Sequence, residues 1–218
     1  MLPYLREQHG NPSSLHGPGR RARVAVDRAR EQVADVLGAE PSEVVFTSGG
    51  TEADNAALRG VLTGEVARQT GRRGLVTSAV EHHAVLHTAQ ALAADGHPVL
   101  ILPPDARGVL TPDALADALD ASTGLVSAML VNNETGSVNP VRELADVAHA
   151  AGAFFHTDAV QAAGLLPLDV DRLDADLLSL SAHKCGGPKG VGALYVRAGT
   201  PFAGIQTGGA QERARRGG

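Results

Sequence analysis

The 218-residue chain holds one cysteine, no tryptophan and only 3% aromatic residues. A lone cysteine excludes an internal disulfide framework and suits a reducing compartment. No apolar run approaches the ~18 residues of a membrane-spanning helix, and Met1-Leu2-Pro3-Tyr4-Leu5-Arg6 lacks the apolar core of a signal peptide. Both features lead to the expectation of a cytoplasmic protein with no membrane partner. Charge of one sign is scarce too. The net charge is -5 with acids and bases interspersed, and the basic clusters Arg20-Arg21-Ala22-Arg23 and Arg213-Ala214-Arg215-Arg216 are short. They read as solvated faces, or as contacts to a phosphate or a partner, rather than as a nucleic-acid groove. Internal repeats, low-complexity tracts and linkers are all missing, so one large domain is expected. Its core must come from Ala, Val and Leu, a mix suited to helices packed on a parallel sheet.

What is present alternates between strand and helix patterns. From Arg20 to Leu37 the apolar positions Val26, Ala29, Val33, Val36 and Leu37 recur at steps of three and four, and Gly38 closes the helix. Short apolar runs follow at Val44 to Thr47, Leu75 to Ser78, Pro98 to Leu102, Leu125 to Val131, Ala153 to Asp158, Asp176 to Leu178 and Val191 to Val196. Helices separate most of them, one opened by Thr111-Pro112-Asp113 as N-cap and proline at N1. The fold class expected is α/β, with a mostly parallel sheet flanked by helices. The stretch His9 to Gly19, dense in turn formers and with two histidines, reads as a loop, either frayed or closing over a site.

In an open α/β sheet the carboxyl ends of the strands form the binding crevice, and polar groups gather there. Ser48-Gly49-Gly50-Thr51 lies between a strand and a helix, where free N–H groups and the helix dipole favour an anion such as phosphate. It lacks the Gly-Lys-Ser/Thr of a Walker A loop. His82 stands at a helix entrance and could lie flat on a planar cofactor. His83 and His87, at i and i+4, could share a metal, yet no third ligand is evident and Glu81 is not in the zincin order. Asn132-Asn133-Glu134 reads as a ligand-reading corner. Asp158 ends an apolar strand, where a carboxylate must find a partner, and Gln161 follows it. Lys184, in Ser181-Ala182-His183-Lys184-Cys185-Gly186-Gly187, follows a strand into a glycine-rich turn. If burial and positive neighbours lowered its pKa from about 10.4, its amine could form a Schiff base with a carbonyl cofactor.

A phosphate cradle, a carboxylate for a ring nitrogen, a stacking histidine and a lysine amine are what a pyridoxal 5'-phosphate site requires. With Asn11-Pro12-Ser13-Ser14-Leu15-His16, Phe46-Thr47-Ser48-Gly49-Gly50-Thr51-Glu52, Val131-Asn132-Asn133-Glu134-Thr135-Gly136, His156-Thr157-Asp158-Ala159-Val160-Gln161 and Ser181-Ala182-His183-Lys184, the sequence resembles the cysteine desulfurases of the NifS/IscS type. These belong to the class V aminotransferases of fold-type I, and the similarity runs through essentially the whole chain. The resemblance implies that Lys184 bonds the cofactor and moves the substrate's α-proton. It gives Asp158 the ring nitrogen, Gln161 the ring's phenolic oxygen and His82 the stacking role with assistance in proton transfer. Gly50, Thr51, Ser181 and His183 would hold the phosphate, and Asn133 the substrate carboxylate.

It further implies L-cysteine as substrate, L-alanine and a protein persulfide as products, a homodimer, and a sulfur acceptor such as an iron-sulfur scaffold. Residues 1–218 then correspond to part of the large cofactor-binding domain. The small domain, whose mobile loop carries the family's nucleophilic cysteine, is missing from them, so this chain alone is not expected to complete sulfur transfer. Cys185 reads as a bystander. The alternatives are another class V enzyme, such as a selenocysteine lyase or aminotransferase, and a non-catalytic scaffold or binding protein on the same fold.

Overall fold

A computed structural model describes residues 1–218. Seven strands, β1 (Val44–Thr47), β2 (Gly74–Ser78), β3 (Val99–Leu102), β4 (Thr123–Ser127), β5 (Phe154–Asp158), β6 (Leu177–Ser181) and β7 (Gly192–Val196), form one sheet in the order β1-β7-β6-β5-β4-β2-β3. β3, β2, β4, β5 and β6 are mutually parallel, and β7 alone runs antiparallel to both neighbours. The connection from β6 to β7 is a short loop pinned at its base by Ala182 N–H donating to Val191 O at 3.1 Å. Such a loop can join only antiparallel neighbours, because a parallel crossover needs a dozen or more residues.

The helices are α1 (Leu2–Arg6), α2 (Gly17–Leu37), α3 (Gly50–Leu62), α4 (Glu65–Thr70), α5 (His83–Ala94), α6 (Pro112–Ala118), α7 (Val141–Ala150) and α8 (Val170–Leu173). None is long and apolar enough to cross a membrane. α2 ends where Gly38 adopts a left-handed conformation, as the glycine after its apolar stripe predicts. It begins three residues earlier than the periodicity suggests, because His16 caps it: Gly19 N–H donates to Nδ1 at 3.2 Å, with Pro18 in the first turn. The loop before it is therefore tied to a packing helix, and none of His9 to Gly19 lines the main pocket.

Two apolar layers sandwich the sheet. On one face Val126, Phe155, Leu178 and Tyr195 pack with Leu144, Ala145 and Ala148 of α7 and with Leu37 of α2. On the other, Leu125, Leu177, Leu194 and Val196 meet Ala53, Ala57, Leu58, Val61 and Leu62 of α3 and Val85, Ala89 and Leu92 of α5. The expected strand from Leu125 to Val131 is shorter than its apolar run. β4 stops at Ser127, and Ala128 to Leu130 continue as buried irregular chain, with Val131 in an isolated bridge to Val138. The Asn132 turn causes this. Its Nδ2 donates to Val80 O at 2.7 Å, and its Oδ1 accepts from the backbone of Glu134 and Thr135. Asn132 thus braces the loop instead of reading a ligand.

Candidate functional site

The carboxyl ends of β1, β5 and β6 and the N-terminus of α3 enclose a cavity of about 550 Å³. The nine residues to which the family resemblance gives a role all line it: Gly50, Thr51, His82, Asn133, Asp158, Gln161, Ser181, His183 and Lys184. The rim is exposed and carries Thr51, His82, His183, Lys184 and Lys189, whereas Gly50, Asp54, Met129, Asp158 and Ser181 form a buried floor. The β6–β7 loop delivers both lysines. Lys184 ends a single 3₁₀ turn, Ala182–Lys184, and stands in solvent. The burial that its sequence position left open is not found: residues 183–187 are all exposed.

Close packing shapes the phosphate-type cradle at the start of α3. A Cβ on Gly50 would come within 2.7 Å of Val160 Cγ2 and 3.5 Å of Ser181 Cβ, so only glycine lets this helix end approach the strand ends. Beside it Ser181 Oγ and His183 Nδ1 lie 2.8 Å apart. Glu52, which sequence reasoning passed over, accepts from Ser48 N–H at 2.8 Å and from Arg216 Nε at 2.6 Å. Burial would raise its pKa, but the bonds from Arg216 and Ser48 prevail and hold it down at about 2.

On the floor, Asp158 Oδ1 accepts from Val160 N–H at 2.9 Å and makes no other hydrogen bond to protein. Burial raises its pKa; the Val160 N–H and the charge of His82 partly offset this. His82 caps α5, its Nδ1 accepting from Ala84 N–H at 3.1 Å, which leaves Nε2 as its free nitrogen. Asn133 Nδ2 donates to Glu134 Oε1 at 2.7 Å, and of the two asparagines only Asn133 reaches the cavity. The His83 and His87 rings stack with centroids 4.9 Å apart, but no three His, Cys, Asp or Glu side chains converge on a metal position. Cys185 is exposed, is not part of the lining, and points its Sγ at Ala182 O, 3.4 Å away.

Sequence reasoning missed a second layer beneath Asp158. His156 is wholly buried between Ser127 Oγ on Nδ1 and Ser179 Oγ on Nε2, each at 2.9 Å, and burial pushes its pKa down to about 3. Asp54, inside α3, and Glu81, which accepts from Met129 N–H at 2.9 Å, are buried acids. Burial, followed by the charge of Asp158, raises Asp54 well above its ordinary value, with the Ser179 hydroxyl partly offsetting this; burial likewise raises Glu81 against the Met129 N–H. A signal existed for Glu81, which directly precedes the pocket histidine; Asp54 stands out only once α3 is seen to be buried almost all round.

The arrangement suits a ligand with an anionic group, which helix N–H groups and rim cations can hold, and a cationic or protonated ring edge facing a carboxylate. Among known proteins, the family model described as aminotransferase class-V matches residues 1–214. The cysteine desulfurase IscS of Methanosarcina thermophila is 48% identical over 218 residues, all of this chain and 53% of that protein. A cysteine desulfurase of Cereibacter sphaeroides is 51% identical over 220 residues, covering 56% of it. A solved NifS-like protein superposes with TM-score 0.93 at 41% identity, over all of this chain and 59% of that one. A structure of SspA in complex with cysteine gives 0.92 at 40%, over 99% and 62%. The chain spans about half the length of the curated relatives it matches.

Proposed function

The chain belongs to the aminotransferase class-V family, and from that premise we propose that it forms the cofactor-binding part of a pyridoxal-phosphate-dependent cysteine desulfurase. One observation carries the reading: a single cavity joins an N–H- and cation-rich rim, a buried carboxylate floor and a lysine on a projecting loop. The residues fit the cofactor. Gly50 leaves at the α3 N-terminus a cradle that a Cβ would fill, and Asp158 keeps acceptor capacity on the cavity floor.

Thr51, Ser181 and His183, with the helix N-terminus at Gly50, hold the phosphate. Asp158 would accept from the ring nitrogen, Gln161 would bind the phenolic oxygen, and His82, whose Nε2 is free, would stack on the ring and assist proton transfer. Pyridoxal phosphate, when bound, would supply an electron sink. Lys184, on its exposed loop, would hold the cofactor and would move the substrate's α-proton at Nζ. Asn133 orients the carboxylate of L-cysteine. The sulfur leaves as a persulfide on a cysteine outside these 218 residues, bound for an acceptor such as an iron-sulfur scaffold, and the working unit is a cytoplasmic homodimer with L-alanine as co-product.

Adding pyridoxal phosphate to the purified chain should give a visible absorption band that Lys184→Ala abolishes and L-cysteine shifts. A folded chain with no lysine-dependent band would overturn the reading.

A further inference from the structure

Beneath the site lies a charge problem that the roles above leave unsolved. Asp54 is only 1% exposed, and its Oδ1 has no hydrogen-bond partner. The nearest basic atom is His156 Nε2 at 3.7 Å, and that nitrogen already pairs with Ser179 Oγ while Nδ1 pairs with Ser127 Oγ. Two hydroxyls satisfy the neutral ring completely, so burial leaves it no reason to take a second proton. An ionised Asp54 would therefore be a buried charge without a counter-ion, on the same cavity floor as a second carboxylate, a state that costs several kcal/mol. The other titratable groups around it do not help: Glu81, on the loop before α5, is also a buried acid with Oε2 unpartnered. His82, His183, Lys184 and Lys189 sit on the exposed rim, and on its own helix Glu52 is tied to Arg216. Asp158 shares the cavity floor with Asp54 but differs from it in accepting from Val160 N–H, whereas Asp54 Oδ1 has no partner.

We propose that Asp54 is a positioning residue that acts through Asp158: an uncharged carboxyl group that confines the negative charge of the buried cluster to the one carboxylate assigned to the cofactor's ring nitrogen. The inference rests on the reading of the cavity as a pyridoxal phosphate site. A neutral, polar neighbour stabilises the ionised form of Asp158, whereas a charged one would oppose it and an apolar one would leave it more desolvated. Two like acids in one site commonly divide their roles in this way.

The test uses the full chain. Near neutral pH, infrared spectra of cofactor-free protein should contain a protonated-carboxyl stretch that Asp54→Asn removes and Asp158→Asn leaves in place. Affinity for pyridoxal phosphate is then followed across pH. Asp54→Val should move the acid limb to higher pH, weakening binding about tenfold on that side and converging with wild type at alkaline pH, where a tenfold change corresponds to one pKa unit. Asp54→Asn should restore the wild-type profile to within about threefold. A purely structural role would weaken binding equally at every pH, and such a parallel profile overturns the proposal. Loss of only ionised-carboxylate stretches in Asp54→Asn also overturns it. Should the valine variant not fold, the infrared comparison of the asparagine variant decides alone. A wild-type chain that binds no pyridoxal phosphate fails the cofactor reading and this role with it, whereas intact binding with a missing infrared band sinks only the Asp54 inference.

Discussion

The two faces of the central sheet use the same strands differently. Toward α7, Val126, Phe155 and Leu178 are apolar side chains in one continuous core. Toward α3, the alternate positions start apolar at Leu125, Phe154 and Leu177 and turn polar toward the carboxyl edge, at Ser127, His156 and Ser179 and finally at Asp158 and Ser181. The first face does nothing but hold the sheet. The second gives up hydrophobic burial, worth ~1.5–3 kcal/mol per large side chain, for a polar layer under the cavity in which Ser127, His156 and Ser179 pair and Asp54 does not. Real proteins break their own patterning rules at functional sites, and here the break lies mainly on one face and at one edge, with Thr157 the buried polar side chain on the other face of β5.

Substitutions on each face can break this contrast. Phe155→Ala, on the apolar face, should have the largest effect on folding, a loss of about 3–5 kcal/mol in denaturant unfolding, while the folded variant keeps its Lys184-dependent band. On the polar face the expected signature is a dependence on pH. His156 titrates at 6.5 in its ordinary state and is pushed down to about 3 in the fold, so unfolding takes up a proton within that window. The contribution of His156 to stability is therefore full above pH 6.5 and falls as pH drops toward 3, by about 1.4 kcal/mol per pH unit. His156→Asn should abolish that slope, and a wild-type profile parallel to the variant's would refute the neutral, buried ring. The smallest change expected is Ser127→Ala, which removes only the partner of His156 Nδ1. It should cost ~1–3 kcal/mol, a cost that shrinks in His156→Asn if the two side chains act as a pair.

The recognised site was legible because its parts are punctuation. Gly50 and Thr51 after a strand, Asp158 at a strand's end and Lys184 before a glycine turn each break a local pattern, and parallel α/β topology sends all such breaks to one edge. Asp54 was less visible. In a helix, an acid among alanines reads as a solvated position, and only the packing of α3 against β6, β7 and α5 buries that side of the helix as well. Asn132 misled in the opposite sense. Its amide looked free to read a ligand, and the fold uses it to close its own loop.

By itself the sequence determined the succession of elements, the two apolar stripes that make a sandwiched sheet, and the residue types at the strand ends, because these follow from periodicity and turn chemistry within a few residues. Tertiary structure alone decided the antiparallel course of β7, the exposure of Lys184 and the Ser127–His156–Ser179 layer with Asp54 beside it. An apolar run reads the same in either direction. Which polar groups pair, and which carboxyl is left without a counter-ion, depends on strand register and helix docking across 100 or more residues of chain, as between Asp54 and Asp158.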